Sequence, residues 1–170
     1  MIARSATVAL VLITAAVLQT ALFPHLTLAG FRPDLLLLAT TAFALRDGPL
    51  TGLRVGFAAG LIADLLLNQS ALGLTALVFL GVGYAVGTAR PYFAHGSVTA
   101  PVLLAMMSGL LGTAGYGLFS RLLGDERFTL DLVVQASLFV ALYNTLLAPI
   151  VIGLVERLGD RFPVEGAAAT

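Results

Sequence analysis

The segment GLRVGFAAGLIADLLLNQSALG, residues 52–73, decides the architecture. Most of it is apolar enough for a bilayer, yet it holds Arg54, Asp64 and glycines at Gly52, Gly56 and Gly60. Four residues advance a helix by about 400°, so the three glycines and Asp64 form one slowly drifting stripe. Small residues at this spacing let a second backbone approach closely. In lipid such packing drives association, because no hydrophobic effect distinguishes a helix from an acyl chain. The stripe is therefore either a groove for another helix of the same bundle or a docking face for a partner protein. Weaker stripes at Gly83/Gly87 and at Ala105/Gly109/Thr113/Gly117 favour a general packing role.

The two charges in this segment do not pair. Ten residues separate them, which is roughly 15 Å along a helix and about 280° around it. Arg54 lies about one turn from one end of its span and can extend to headgroups. Asp64 lies about one turn from the other end, just before Asn68 and Gln69, and its side chain is too short to do the same. It must face the bundle or a polar outer pocket, since a charge in hydrocarbon costs about 2.5–3.5 kcal/mol at a helix centre. Three roles stay open for it: a helix-end acid held by neighbouring amides and water, a conformational lock, or a ligand contact.

Composition extends this reading to the whole chain. Of 170 residues, 59% are hydrophobic and 11% charged, with a mean hydropathy of +1.00. Soluble domains carry about a quarter charged residues, so this is a polytopic membrane protein. All nine basic residues are arginines, and none forms a run that could track nucleic acid. No cysteine is present and only two histidines, which excludes thiolate chemistry and histidine-rich metal sites. The N-terminal MIARSATVALVLITAAVLQTALF lacks a convincing small-residue cleavage site and reads as an uncleaved first span.

Six apolar segments follow one another at about 5–23, 34–46, 50–67, 73–89, 98–119 and 132–155. The fold class is an all-α bundle of six transmembrane helices, with residues 1–155 as a single domain and 156–170 as a short cytoplasmic tail. The second segment has 13 residues, about 20 Å of helix, too short to cross unaided. It either recruits the preceding LAGF, thins the bilayer or is tucked inside the bundle. Pro33 and Asp34 suit its first turn, proline by its fixed φ and the acid by the helix dipole. The RDGP turn at 46–49 makes spans two and three antiparallel neighbours. Arg4, Arg46, Arg90, Arg157 and Arg161 fall on one side, against Arg32, Arg121 and Arg127 on the other, so both termini are expected in the cytoplasm. Aromatics mark the two interfaces, Phe23 and Phe31 outside, Tyr92 and Phe93 inside.

No catalytic constellation accompanies these spans. Asp47-Gly48 and the later Gly60-x3-Asp64-x3-Asn68 resemble the signature of CDP-alcohol phosphatidyltransferases. However, its Ala-Arg is here Thr51-Gly52, its last Asp is Asn68, and the spacing from Asp47 is one residue out. One residue is about 100° of helix, so the ligands could not converge on a metal. No G-x-S-x-G or H-E-x-x-H occurs, and His25 and His95 fall in loops on opposite sides. Spans four to six hold only Gln135 and Asn144 as strongly polar interior groups, a thin basis for an ion relay. Asn144 is placed to hydrogen-bond a neighbouring helix, with Pro149 a kink one turn later. Catalytic, cofactor-binding and metal residues are all expected to be none.

FRPDLLLL at 31–38, the RDGP turn, GFAAGLIADLLLNQSALGLTAL at 56–77 and VGYAVG at 82–87 together resemble the MreD family of rod shape-determining proteins. The resemblance covers about residues 31–90, in order and at the family's separations, while 98–170 agree only in pattern. It implies a non-enzymatic multi-pass subunit of the bacterial cytoplasmic membrane. Such a subunit associates with MreC, a single-span protein, and through it with MreB filaments, a RodA-type glycosyltransferase and a class B penicillin-binding protein in lateral-wall peptidoglycan synthesis. The matching positions are Arg32, Pro33, Asp34, Gly56, Phe57, Gly60, Asp64, Leu72, Gly73, Gly83, Tyr84 and Gly87, with Gly52 extending the glycine stripe. The resemblance implies that they shape the bundle and its MreC-facing surface. The alternative is a substrate-binding S-component of an energy-coupling-factor vitamin transporter, also a small six-span bundle whose fold the family is similar to. Asp34 and Asp64 would line its outward pocket, but its A-x-x-x-A docking spacing in span one is here Ala16 and Thr20.

Overall fold

The structure, a computed structural model, describes residues 2–22, 30–66, 72–92 and 99–161. Six α-helices follow in order: α1 (Ile2–Ala21), α2 (Leu35–Asp47), α3 (Pro49–Leu66), α4 (Leu74–Ala89), α5 (Thr99–Leu122) and α6 (Leu130–Arg161). A 3₁₀ turn, Arg90–Tyr92, ends α4. The expected spans all coincide with helices. The largest difference is at α6, which begins at Leu130 and runs past 155 to Arg161, so the first part of the expected tail is helical. Phe23, His25, Asn68, Gln69, Phe93 and His95 lie outside the described residues.

Five helices, all but α2, are long and apolar enough to cross a membrane. The short α2 is instead tucked into the bundle, the third of its three expected solutions. Every residue from Leu35 to Ala44 is buried, and α2 packs against each of the other five helices. Its two threonines tolerate this because their hydroxyls return to the preceding turn, Thr40 to the Leu36 carbonyl at 2.9 Å and Thr41 to that of Leu37 at 3.0 Å. Thr41 also meets the Ser108 hydroxyl of α5 at 2.8 Å. The RDGP turn works through Gly48, whose φ of 89° ends α2 while its N–H reaches the Ala44 carbonyl at 2.9 Å. Pro49 then opens α3, at the helical position where a missing N–H does no harm.

The glycine stripe of α3 is filled from within the chain. Gly52, Gly56 and Gly60 are buried against α4, so the docking-face reading of these three positions gives way to intramolecular packing. A Cβ on Gly56 would sit 2.7 Å from the Phe79 carbonyl carbon, and one on Gly60 2.6 Å from the Ala76 nitrogen. Gly52 and Gly83 face each other backbone to backbone, and Gly87 faces Pro49. The two helices thus run antiparallel with main chains touching, where dispersion between many close atom pairs holds them. The second stripe does the same less tightly between α5 and α6, with Gly109 against Ala141 and Gly117 against Val133. The outermost helix, α1, buries Leu12, Ala15, Ala16 and Gln19, and Arg4 near its start pairs with Asp47 at the end of α2 at 2.7 Å.

Substituting Gly56 by Leu should destabilise the purified chain by about 1–3 kcal/mol or more, since the new side chain must force two backbones apart. Gly81 on the same pair has open space around its Cβ position, and Gly81→Leu should stay within about 0.5 kcal/mol of wild type. Thermal unfolding of both variants in detergent checks this contrast; equal losses would contradict it.

Candidate functional site

Two carboxylates organise the interior, and each stands at the start of a helix. The first four N–H groups of any helix have no partner inside it, and in a bilayer core water cannot supply one. At α2 three side chains do so, one at its own cap and one from each of two other helices. Asp34 is the N-cap, and its carboxylate accepts from the Leu37 N–H at 3.0 Å. Gln19 of α1 accepts from the Leu36 N–H at 3.2 Å, and Asn144 of α6 from the N–H of Asp34 itself at 3.3 Å. Pro33 is buried just ahead of the cap. It is therefore not in the first turn of the helix, as expected from sequence, but one place before the cap, where its lack of an N–H removes a donor that would need a partner.

At α4 the cap comes from another helix. Gly73 holds the N-cap position in the left-handed conformation, φ 91°, and has no side chain to offer. Asp64 of α3, 1% exposed, supplies the acceptor instead. Its carboxylate takes the N–H groups of Gly73 at 2.8 Å, Ala76 at 3.2 Å and Thr75 at 3.3 Å. Three charge-assisted bonds and the positive end of the α4 dipole offset the loss of hydration for this buried acid. Of the three roles open to Asp64, the helix-end acid held by neighbouring amides is the one its geometry fulfils. Both carboxylate oxygens are engaged, and Arg54, on the outer face of α3, is not among its partners.

The thirteen positions singled out from the sequence separate into two groups. Pro33, Asp34, Gly52, Gly56, Gly60, Asp64, Gly73, Gly83 and Gly87 all serve helix starts or the α3–α4 contact. Arg32, Phe57, Leu72 and Tyr84 are exposed. Phe57 follows Gly56 and Tyr84 follows Gly83, and these glycines face the opposing helix of an antiparallel pair. The next residue, about 100° onward on each helix, therefore turns to the same side of the hairpin. Gly81 and Leu77 share that outer face with them.

Asp47 and Asp64, the acids of the phosphatidyltransferase-like pattern, lie beyond opposite ends of α3 or near them, and Asp47 is paired with Arg4. Among the described residues no three His, Cys, Asp or Glu side chains come together as a metal site would require. Gln19 is the residue that sequence reading passed over; a lone glutamine in an apolar first span was its only signal. Asn144 was expected to bond a neighbouring helix, and does so at the start of α2.

The family model for the rod shape-determining protein MreD matches residues 2–158. The chain belongs to the MreD family. No curated protein and no solved structure matches it. Membership of the MreD family, a family of shape-determining membrane proteins, agrees with the five helices able to span a membrane. The transport-subunit alternative gains no support, because the acids that would line its pocket are bonded to backbone amides.

Replacing Asp64 by Leu leaves three amides without an acceptor and should cost about 2–5 kcal/mol, each buried orphan being worth about 1–3 kcal/mol before relaxation. Asp64→Asn keeps one acceptor oxygen and should lose roughly half as much. Hydrogen exchange would localise the effect, with protection lost first at Gly73, Thr75 and Ala76; uniform loss throughout the bundle would contradict the assignment.

Proposed function

We propose that the chain is a non-enzymatic subunit of the bacterial elongation machinery, lying in the cytoplasmic membrane with both termini inside. It binds an MreC-like single-span protein and, through that protein, supports the filaments and synthases that build lateral wall. Family membership supports the rod-shape role. The observation that carries the binding role is the division of the family-motif residues. Those that point inward are all accounted for by packing and capping, whereas Phe57 and Tyr84, about half exposed at 49% and 48%, contribute little to the core. They share one face of the α3–α4 hairpin, beside Gly81, whose missing side chain leaves the surface low enough for another helix to lie close. Aromatic side chains at such a position are the usual anchors of an interface. The MreC-like partner therefore seats on this face, and the inward acids keep the face in shape.

Co-expression with the MreC-like protein and purification in mild detergent tests this. Wild type should co-purify, and Phe57→Ala with Tyr84→Ala should reduce the recovered partner about tenfold or more, as loss of two interface anchors would. The variant chain should keep its own unfolding temperature. Arg54→Gln should leave recovery unchanged, and Asp64→Leu should lower both stability and recovery. A well-expressed wild-type pair that never associates would end the proposal.

A further inference from the structure

Arg54 is a charged side chain near the start of α3 that bonds to nothing within the described part of the molecule. Arg4 pairs with Asp47, Arg127 with Asp125, and Arg121 donates to the Phe128 carbonyl. Arg54 is exposed and has neither an ion pair nor a hydrogen bond among the described residues. It lies five residues after Pro49, the first residue of α3, which places its Cα about 7.5 Å below the helix start. A guanidinium there is close enough to the surface to reach it along its own stem. Along the same outer side of α3 run Leu50, Phe57, Leu61 and Leu65, exposed by 65%, 49%, 39% and 67%. On the helical wheel Arg54 lies further from α4 than Phe57 does, at the far edge of the α3–α4 face.

We propose that Arg54 and the apolar strip of α3 form a binding site for an anionic phospholipid. The phosphate takes the guanidinium through paired N–H donors, a match that a lysine cannot reproduce. The acyl chains run from Arg54 along Phe57 and Leu61, toward the membrane interior. Arg90 and Tyr92, exposed at the adjoining end of α4, mark the headgroup level to which Arg54 extends. The site commits to a lipid because its single cation is followed by an unbroken apolar strip, which suits a charged headgroup on two chains and offers nothing further to a water-soluble anion. It adjoins the proposed partner face at Phe57, which the two share, whereas Arg54 belongs to the lipid site alone and Tyr84 to the partner face alone.

The test uses the purified full-length chain in neutral detergent, titrated with dioleoyl phosphatidylglycerol, dioleoyl phosphatidylcholine or glycerol phosphate, and read by thermal unfolding and native mass spectrometry. Phosphatidylglycerol should raise the unfolding temperature and leave a retained adduct; phosphatidylcholine and glycerol phosphate should do neither. Arg54→Gln should weaken apparent phosphatidylglycerol affinity about tenfold, and Arg54→Lys should fall between the two. Equal shifts in wild type and Arg54→Gln, or equal shifts with the two lipids, would overturn the site. So would a lipid-independent loss of partner co-purification in Arg54→Gln, which would assign Arg54 to an acidic group of the partner.

Discussion

The backbone N–H groups at helix starts packed against the bundle are the constraint on which this structure depends. A helix that begins at the surface can leave its first amides to water. One that begins inside the bundle must find acceptors there, at a penalty of several kcal/mol for each group left alone. The chain meets this requirement twice, with Asp34, Gln19 and Asn144 at α2 and with Asp64 at α4. Burying a carboxylate would be costly in itself, but the N-terminus of a helix is where the fixed field favours a negative charge. The acids and the helix starts are each untenable alone in lipid and tenable together.

That coupling explains why the family's motif is scattered yet ordered. Asp64 and Gly73 are nine residues apart and belong to one cap. The glycines at Gly52, Gly56 and Gly60 let α4 come close enough for the Asp64 carboxylate to reach its amides, so the stripe and the acid are one device. With the interior so occupied, the side chains left without contacts inside the bundle are those on its outer faces.

The fold was legible in the sequence to a large extent, because bilayer thickness and helix rise limit what an apolar run can do. The six helices, the RDGP turn at Gly48 and the intramolecular use of the glycine stripe could each be read from spacing. The fate of α2 could not, because 13 apolar residues suit several depths and only contacts with the other five helices select one. The partners of Asp64 and Asn144 were also hidden. A carboxylate that bonds backbone N–H groups leaves no trace in the identity of the residues it bonds, and Asn144 reaches an amide 110 positions away. Gln19 escaped notice because one amide in an apolar helix looks incidental until the helix start beside it is known.

The bond between Asn144 and the amide of Asp34, the cap of α2, also ties the start of the second helix to the sixth. A chain emerging from the ribosome makes α2 long before α6, so for most of synthesis one of its buried donors has no acceptor. The hairpin of α2 and α3 can enter the membrane early, but the second helix is completed only when the sixth arrives. A chain shortened before Asn144 therefore lacks a piece of its beginning as well as its end.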